Sequence, residues 1–111
     1  MDQLNDYCAI VRAIMDEYAD YLPATDGVEL EKVYDESHGH YELLLVGWEG
    51  HHRTHGIVLH MDIRDGKIWI QHDGTAEGVA HDLERAGIPK DRIVLAFHPP
   101  YKRPLTGYAV A

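Results

Sequence analysis

Cysteine, serine and phenylalanine each occur only once, as Cys8, Ser37 and Phe97. A lone cysteine excludes an intrachain disulfide and any zinc site built from several thiolates. It also agrees with a reducing, cytoplasmic setting. Ser37 stands in a turn-forming stretch without a Gly-x-Ser-x-Gly elbow, which argues against a serine hydrolase. Long apolar runs are missing too: nothing approaches the roughly 18 consecutive apolar residues of a membrane span. The opening from Asp2 is acidic and amphipathic, with neither the basic n-region nor the apolar h-region of a secretory signal. Gly-x-Gly-x-x-Gly, Walker, EF-hand and His-Glu-x-x-His patterns are all absent, so neither nucleotide binding nor a zincin-type hydrolase is indicated.

Basic residues are few. Ten Lys and Arg stand against nineteen Asp and Glu, a formal charge of −9, which opposes binding to a phosphate backbone. The charges are also unevenly spread. Residues 1–42 hold eleven acids and only Arg12 and Lys32 as bases, whereas Arg85, Lys90, Arg92, Lys102 and Arg103 face only Asp91 in the last stretch. A polarised but merely solvated surface accounts for this most simply. An acidic face for a basic protein partner is the sharper alternative, and direct DNA binding comes third.

What is present suits one domain spanning residues 1–111, with an ordinary globular share of apolar residues. From Asp2 to Leu22, apolar residues recur every three or four positions (Leu4, Tyr7, Cys8, Val11, Ile14, Met15, Tyr18, Leu22), the stripe of an amphipathic helix. Asp2 is the expected N-cap and Pro23 the stop, with Cys8 a small core residue. Val28–Tyr34 alternates as a strand with one wet face. Tyr41–Trp48 is apolar at nearly every position, as a strand covered on both faces would be. Glu49-Gly50 leads into a long strand, His51–Ile63. Arg64-Asp65-Gly66-Lys67 then places Asp-Gly where a type I′ hairpin needs two positive φ angles. That turn pairs Ile63 with Ile68, Met61 with Ile70 and Leu59 with His72 on a core face. Asp62 with Trp69, His60 with Gln71 and Val58 with Asp73 fall on the other. Thr75 is the expected cap of a helix over Ala76–Ala86, and Gly87-Ile88-Pro89 reads as a Schellman stop. Ile93–Phe97 makes a last short strand before an irregular tail. The fold class is therefore α+β: an antiparallel β-meander covered by a long N-terminal helix, with a second short helix and a final strand, in the order α-β-β-β-β-α-β.

Nine histidines invite a search for metal ligands. His51 and His55 share a strand face but flank Arg53, whose charge repels a cation, so surface histidines explain that cluster best. His60, Asp62 and Asp73, with Gln71 beside them, form a better set. A His with two carboxylates suits a divalent ion of the kind nucleases use. The same face carries Val58 and Trp69, so an interface or plain solvation competes with the metal, and both of these readings are preferred to it. His72 is expected to be a buried structural histidine. Asp73-Gly74-Thr75 before a helix is read as ordinary capping.

Two segments resemble a known family. They are Asp65-Gly66-Lys67-Ile68-Trp69-Ile70-Gln71-His72-Asp73-Gly74-Thr75, and Gly87-Ile88-Pro89-Lys90-Asp91-Arg92-Ile93-Val94-Leu95-Ala96-Phe97-His98. With Arg103-Pro104 and the Gly107–Ala111 ending, they are similar to the XisI family of fdxN element excision controlling factors. Leu4, Tyr7 and the Leu43–Trp48 block match in kind, so the resemblance covers essentially the whole chain. It implies a role beside a site-specific recombinase that excises a DNA element in cyanobacteria, together with a nuclease-like companion of the XisH type. It supplies no active-site residue or cofactor.

Residues and resemblance together favour a non-enzymatic accessory factor that holds a companion protein. The alternative is a metal-dependent, nuclease-like hydrolase using the His60/Asp62/Asp73 face. Self-association or companion binding is expected at Val58, His60, Trp69 and Gln71, or at Tyr101, Leu105 and Tyr108 in the tail, where apolar and water-tolerant groups mix. No cofactor, membrane or direct nucleic-acid contact is expected, and any link to the recombinase is indirect. The charge makes one claim testable. In a mobility-shift assay near physiological salt, the isolated protein should give no salt-sensitive duplex binding; micromolar binding that weakens steeply with salt would contradict it.

Overall fold

The computed structural model describes residues 3–22 and 26–111, with residues 3–5 placed by backbone alone. The expected cap Asp2 and stop Pro23 lie outside the described residues. Helix α1 spans Gln3–Tyr21 and is followed by β1 (Val28–Asp35), β2 (His40–Glu49), β3 (His52–Arg64) and β4 (Lys67–Asp73). Then come α2 (Val79–Arg85), a 3-10 turn at Lys90–Arg92, β5 (Ile93–Leu95) and a second 3-10 turn at Pro100–Leu105. The five strands form one sheet in chain order. β1 to β4 are an antiparallel meander, while β5 lies parallel to β4. The sheet is thus mixed, because the α2 crossover returns the chain to the same end before β5 begins.

One face of the sheet carries the core. Tyr7, Val11, Ile14 and Met15 of α1 pack with Tyr41, Leu43, Leu59, Met61, Ile68 and Ile70 of the strands, and with Val79, Ala80 and Leu83 of α2. This is the expected helical stripe, with Cys8 half-buried at its margin. Burying each such aliphatic side chain contributes about 1.5–3 kcal/mol, and that burial holds the helix to the sheet. Among the described residues, no α-helix packs on the second face. In consequence β2 is covered less than its apolar run suggested: Tyr41 and Leu43 are fully buried, but Leu44, Leu45 and Val46 only partly. No helix among the described residues is long and apolar enough to cross a membrane.

Helix α2 begins later than expected, at Val79 instead of Ala76. The Asp73 carboxylate accepts hydrogen bonds from the Val79 and Thr75 backbone N–H groups (2.8 and 2.9 Å) and from the Thr75 hydroxyl (2.5 Å). These bonds hold residues 74–78 as a loop. Thr75 contributes by accepting from Gly78 N–H. The far end follows the sequence: Ile88 N–H donates to Leu83 and Gly87 N–H to Glu84, the paired bonds of a Schellman motif.

Asp65 and Gly66, at φ 55° and 74°, form the type I′ turn between β3 and β4. Gly39, at φ 70°, needs its missing side chain for a second reason. A Cβ there would stand 2.5 Å from the Ile63 carbonyl oxygen, whereas one on Gly66 would meet nothing closer than Arg92 at 3.7 Å. Gly66→Ala should therefore cost only the left-handed conformation, about 1–2 kcal/mol, and Gly39→Ala distinctly more, as read by the shift in urea midpoint. Equal losses would mean that the Ile63 contact contributes nothing.

A histidine–aspartate cluster on the open sheet face

The hairpin register runs as the turn dictates for three pairs, Ile63–Ile68, Asp62–Trp69 and Met61–Ile70, and then slips. His60 pairs with His72 and Leu59 with Asp73, leaving Gln71 as the extra residue of a β-bulge. Side chains alternate with period two, so one extra residue changes the face of everything beyond it. Two expectations are corrected by this slip. His72 is exposed, not buried in the core. Asp73 leaves the face of His60 and Asp62, points to the helix side, and caps α2. The anticipated metal set His60/Asp62/Asp73 does not assemble.

A second bulge supplies a different third member. β2 and β3 pair without interruption from Glu49–His52 to Leu44–Ile57, then resume at Leu43–Leu59, with Val58 as the extra residue. Without it, counting back from the turn would set His40 opposite Met61, on the helix side. With it, His40 faces Asp62. Sequence reasoning missed His40 for this reason. An isolated glycine inside a strand often marks a bulge, and Gly56, two residues before Val58, was the available signal.

Asp62 lies at the centre, its side chain only 13% exposed. Its Oδ1 accepts from His40 Nδ1 at 2.8 Å and from His60 Nε2 at 2.9 Å, while Oδ2 accepts from Gln71 Nε2 at 3.3 Å. His60 Nδ1 sits 3.5 Å from Glu42 Oε1. Burial pushes the Asp62 carboxyl up, but the His40 and His60 hydrogen bonds and charges outweigh it and hold it below the ordinary 3.8. The Asp62 hydrogen bond, and then its charge, raise the His40 imidazole above 6.5. Among the described residues, His40, His60 and Asp62 are the trio of potential ligands whose donor atoms converge, all within 4.8 Å of one another. His51, His52 and His55 form no such group; they lie exposed around the β2–β3 turn, with Arg53 over the Trp48 ring at 5.5 Å.

The candidate interface residues fare unequally. Val58 packs against the core, and Gln71 and His60 are engaged with Asp62 and half-buried. Trp69 is 8% exposed: its indole N–H donates to the Arg64 carbonyl, and the Arg64 guanidinium covers the ring at 4.1 Å. Tyr108 folds back, its hydroxyl donating to Glu84 at 2.7 Å. Tyr101 and Leu105, by contrast, are 75% and 87% exposed. Their segment is nonetheless braced, because Arg103 donates to the His98, Ala96 and Val110 carbonyls.

Comparison with known proteins decides the family. The family model described as XisI protein matches residues 1–110. The chain belongs to the XisI family. Among solved structures it is similar to a XisI-like protein from Anabaena variabilis ATCC 29413, at 38% identity over 97% of this chain and 99% of that one, with a TM-score of 0.94. It is likewise similar to the fdxN element excision controlling factor XisI from Anabaena variabilis ATCC 29413, at 37% identity over 99% of this chain and 100% of that one, with a TM-score of 0.90. No curated protein matches.

The paired shifts of Asp62 and His40 set a pH window. A depressed carboxylate contributes stability above its unfolded value of 3.8 and loses it as pH falls through the folded value. A raised imidazole contributes below 6.5 and loses it as pH rises through its folded value. The pair should therefore act fully between those two limits. In an NMR titration His40 should show a midpoint above 6.5, and Asp62→Asn should lower it. An unchanged midpoint in the variant would show that Asp62 does not hold the ring.

Proposed function

We propose that this chain is a non-enzymatic controlling factor for excision of a DNA element by a site-specific recombinase, acting by binding a companion protein of the XisH type. The observation that carries the reading is near full-length similarity, in sequence and in fold, to a solved fdxN element excision controlling factor. The surface supports a protein contact over a DNA contact. The net charge is −9, and a braced 3-10 segment presents Tyr101 and Leu105 to solvent. Exposed aromatic and aliphatic side chains on a pre-ordered backbone lose little entropy on docking, which favours them as anchors. Self-association through the same segment belongs to this proposal. The hydrolase alternative is weakened, since Asp73 is committed to capping α2.

Co-expression with the XisH-like companion tests the reading. The two chains should co-elute, and light scattering should give the mass of a complex. Tyr101→Ala should weaken it by about 2 kcal/mol, as truncating a central anchor does, without altering the fold. Separate elution at about 10 μM of each chain, a concentration at which a specific complex holds together, would refute companion binding.

A further inference from the structure

We propose that His40, His60 and Asp62 form a binding site for one borderline divalent transition-metal ion of the Zn²⁺, Co²⁺ or Ni²⁺ class. This does not depend on the companion-binding reading.

The donor set suits such an ion. Two imidazole nitrogens and one carboxylate oxygen are ligands that Zn²⁺ and its neighbours accept, whereas Mg²⁺ and Ca²⁺ prefer oxygen throughout. The three groups come from rigid positions: His60 and Asp62 are alternate residues of β3, and His40 is the β2 residue registered opposite Asp62. Their placement on one face is imposed by the Val58 bulge.

Groups behind the ligands are in place as well. His60 turns Nε2 toward Asp62 and Nδ1 toward Glu42 Oε1, 3.5 Å away. A carboxylate at that position can orient the ring once its Nε2 ligates a metal. Gln71 donates to Asp62 Oδ2 and so leaves Oδ1 for the ion. Solvent reaches the group through His40, whose side chain is 57% exposed, against 21% and 13% for His60 and Asp62. Three protein ligands leave a fourth position for water or for an outside ligand.

One adjustment is needed. Both ring nitrogens lie 2.8–2.9 Å from Asp62 Oδ1 as hydrogen-bond donors. Around a tetrahedral ion with bonds of about 2.0–2.1 Å, ligand atoms stand roughly 3.3 Å apart, so each contact must open by about 0.5 Å. The exposed His40 ring can move that far. Each nitrogen must then offer a lone pair to the ion: a neutral ring moves its proton to the other ring nitrogen, and a charged ring releases one proton to solvent.

Titration of the full chain with Co²⁺, followed by its visible d–d absorption, and with Zn²⁺ by calorimetry tests the site. The wild type should bind one ion per chain. His40→Ala and His60→Ala should abolish binding, and Glu42→Gln should weaken it by about 10–100-fold. A variant with His51, His52 and His55 all changed to Ala should bind like the wild type. Because His40 is exposed, His40→Ala keeps the test decisive even if a change at Asp62 unfolds the chain, with far-UV circular dichroism confirming the fold. No binding up to about 1 mM metal, binding unaltered by His40→Ala, or binding lost in the His51/His52/His55 variant would each overturn the proposal.

Discussion

A carboxylate largely withdrawn from water must find donors within the protein, and Asp62 finds one on each of the three central strands. His40 reaches it from β2, His60 from β3 and Gln71 from β4. On the opposite side of the sheet, the register aligns Tyr41, Met61 and Ile70 in a fully buried row beneath the helices. The two rows oblige each other. A slip of one residue would drive Asp62 under α1 and turn Met61 out to water, losing the donors and the apolar burial together. Strand register, helix packing and the polar cluster are therefore one constraint seen from two faces.

The bulges at Val58 and Gln71 reconcile that constraint with the chain. Each leaves one residue unpaired in the ladder, and each exchanges the faces of the residues beyond it. The first carries His40 onto the open face. The second takes Asp73 off it, and the carboxylate so released organises the loop into α2. Trp69 lies beside this arrangement, paired with Asp62 and roofed by Arg64, with Arg103 of the tail 5.8 Å from its ring. The polar cluster and the braced tail thus border the same indole. That places the open sheet face and the exposed Tyr101 segment on neighbouring ground.

The consequence is a division of surface. The helix side is spent on the core, while much of the other sheet face and the tail remain open to solvent. That sheet face gathers histidines and acids; the tail gathers exposed apolar side chains on an ordered turn. Neither resembles a nucleophilic centre, and both suit contact with ions or other proteins.

Much of the fold was legible beforehand because it rests on local chemistry. The α1 stripe, the Asp65-Gly66 turn, the first three pairs of its hairpin and the Schellman stop at Gly87 depend on residues close in the chain. Periodicity and φ preference report such features directly. Family membership was legible for a similar reason, since long contiguous segments carry it. The partnership of His40 with Asp62, the exposure of His72 and the diversion of Asp73 were not. All three follow from where two strands gain an extra residue, which is settled by packing across the whole sheet against α1 and α2. A period-two pattern records which residues alternate, but only the assembled sheet decides which face each half of the pattern takes.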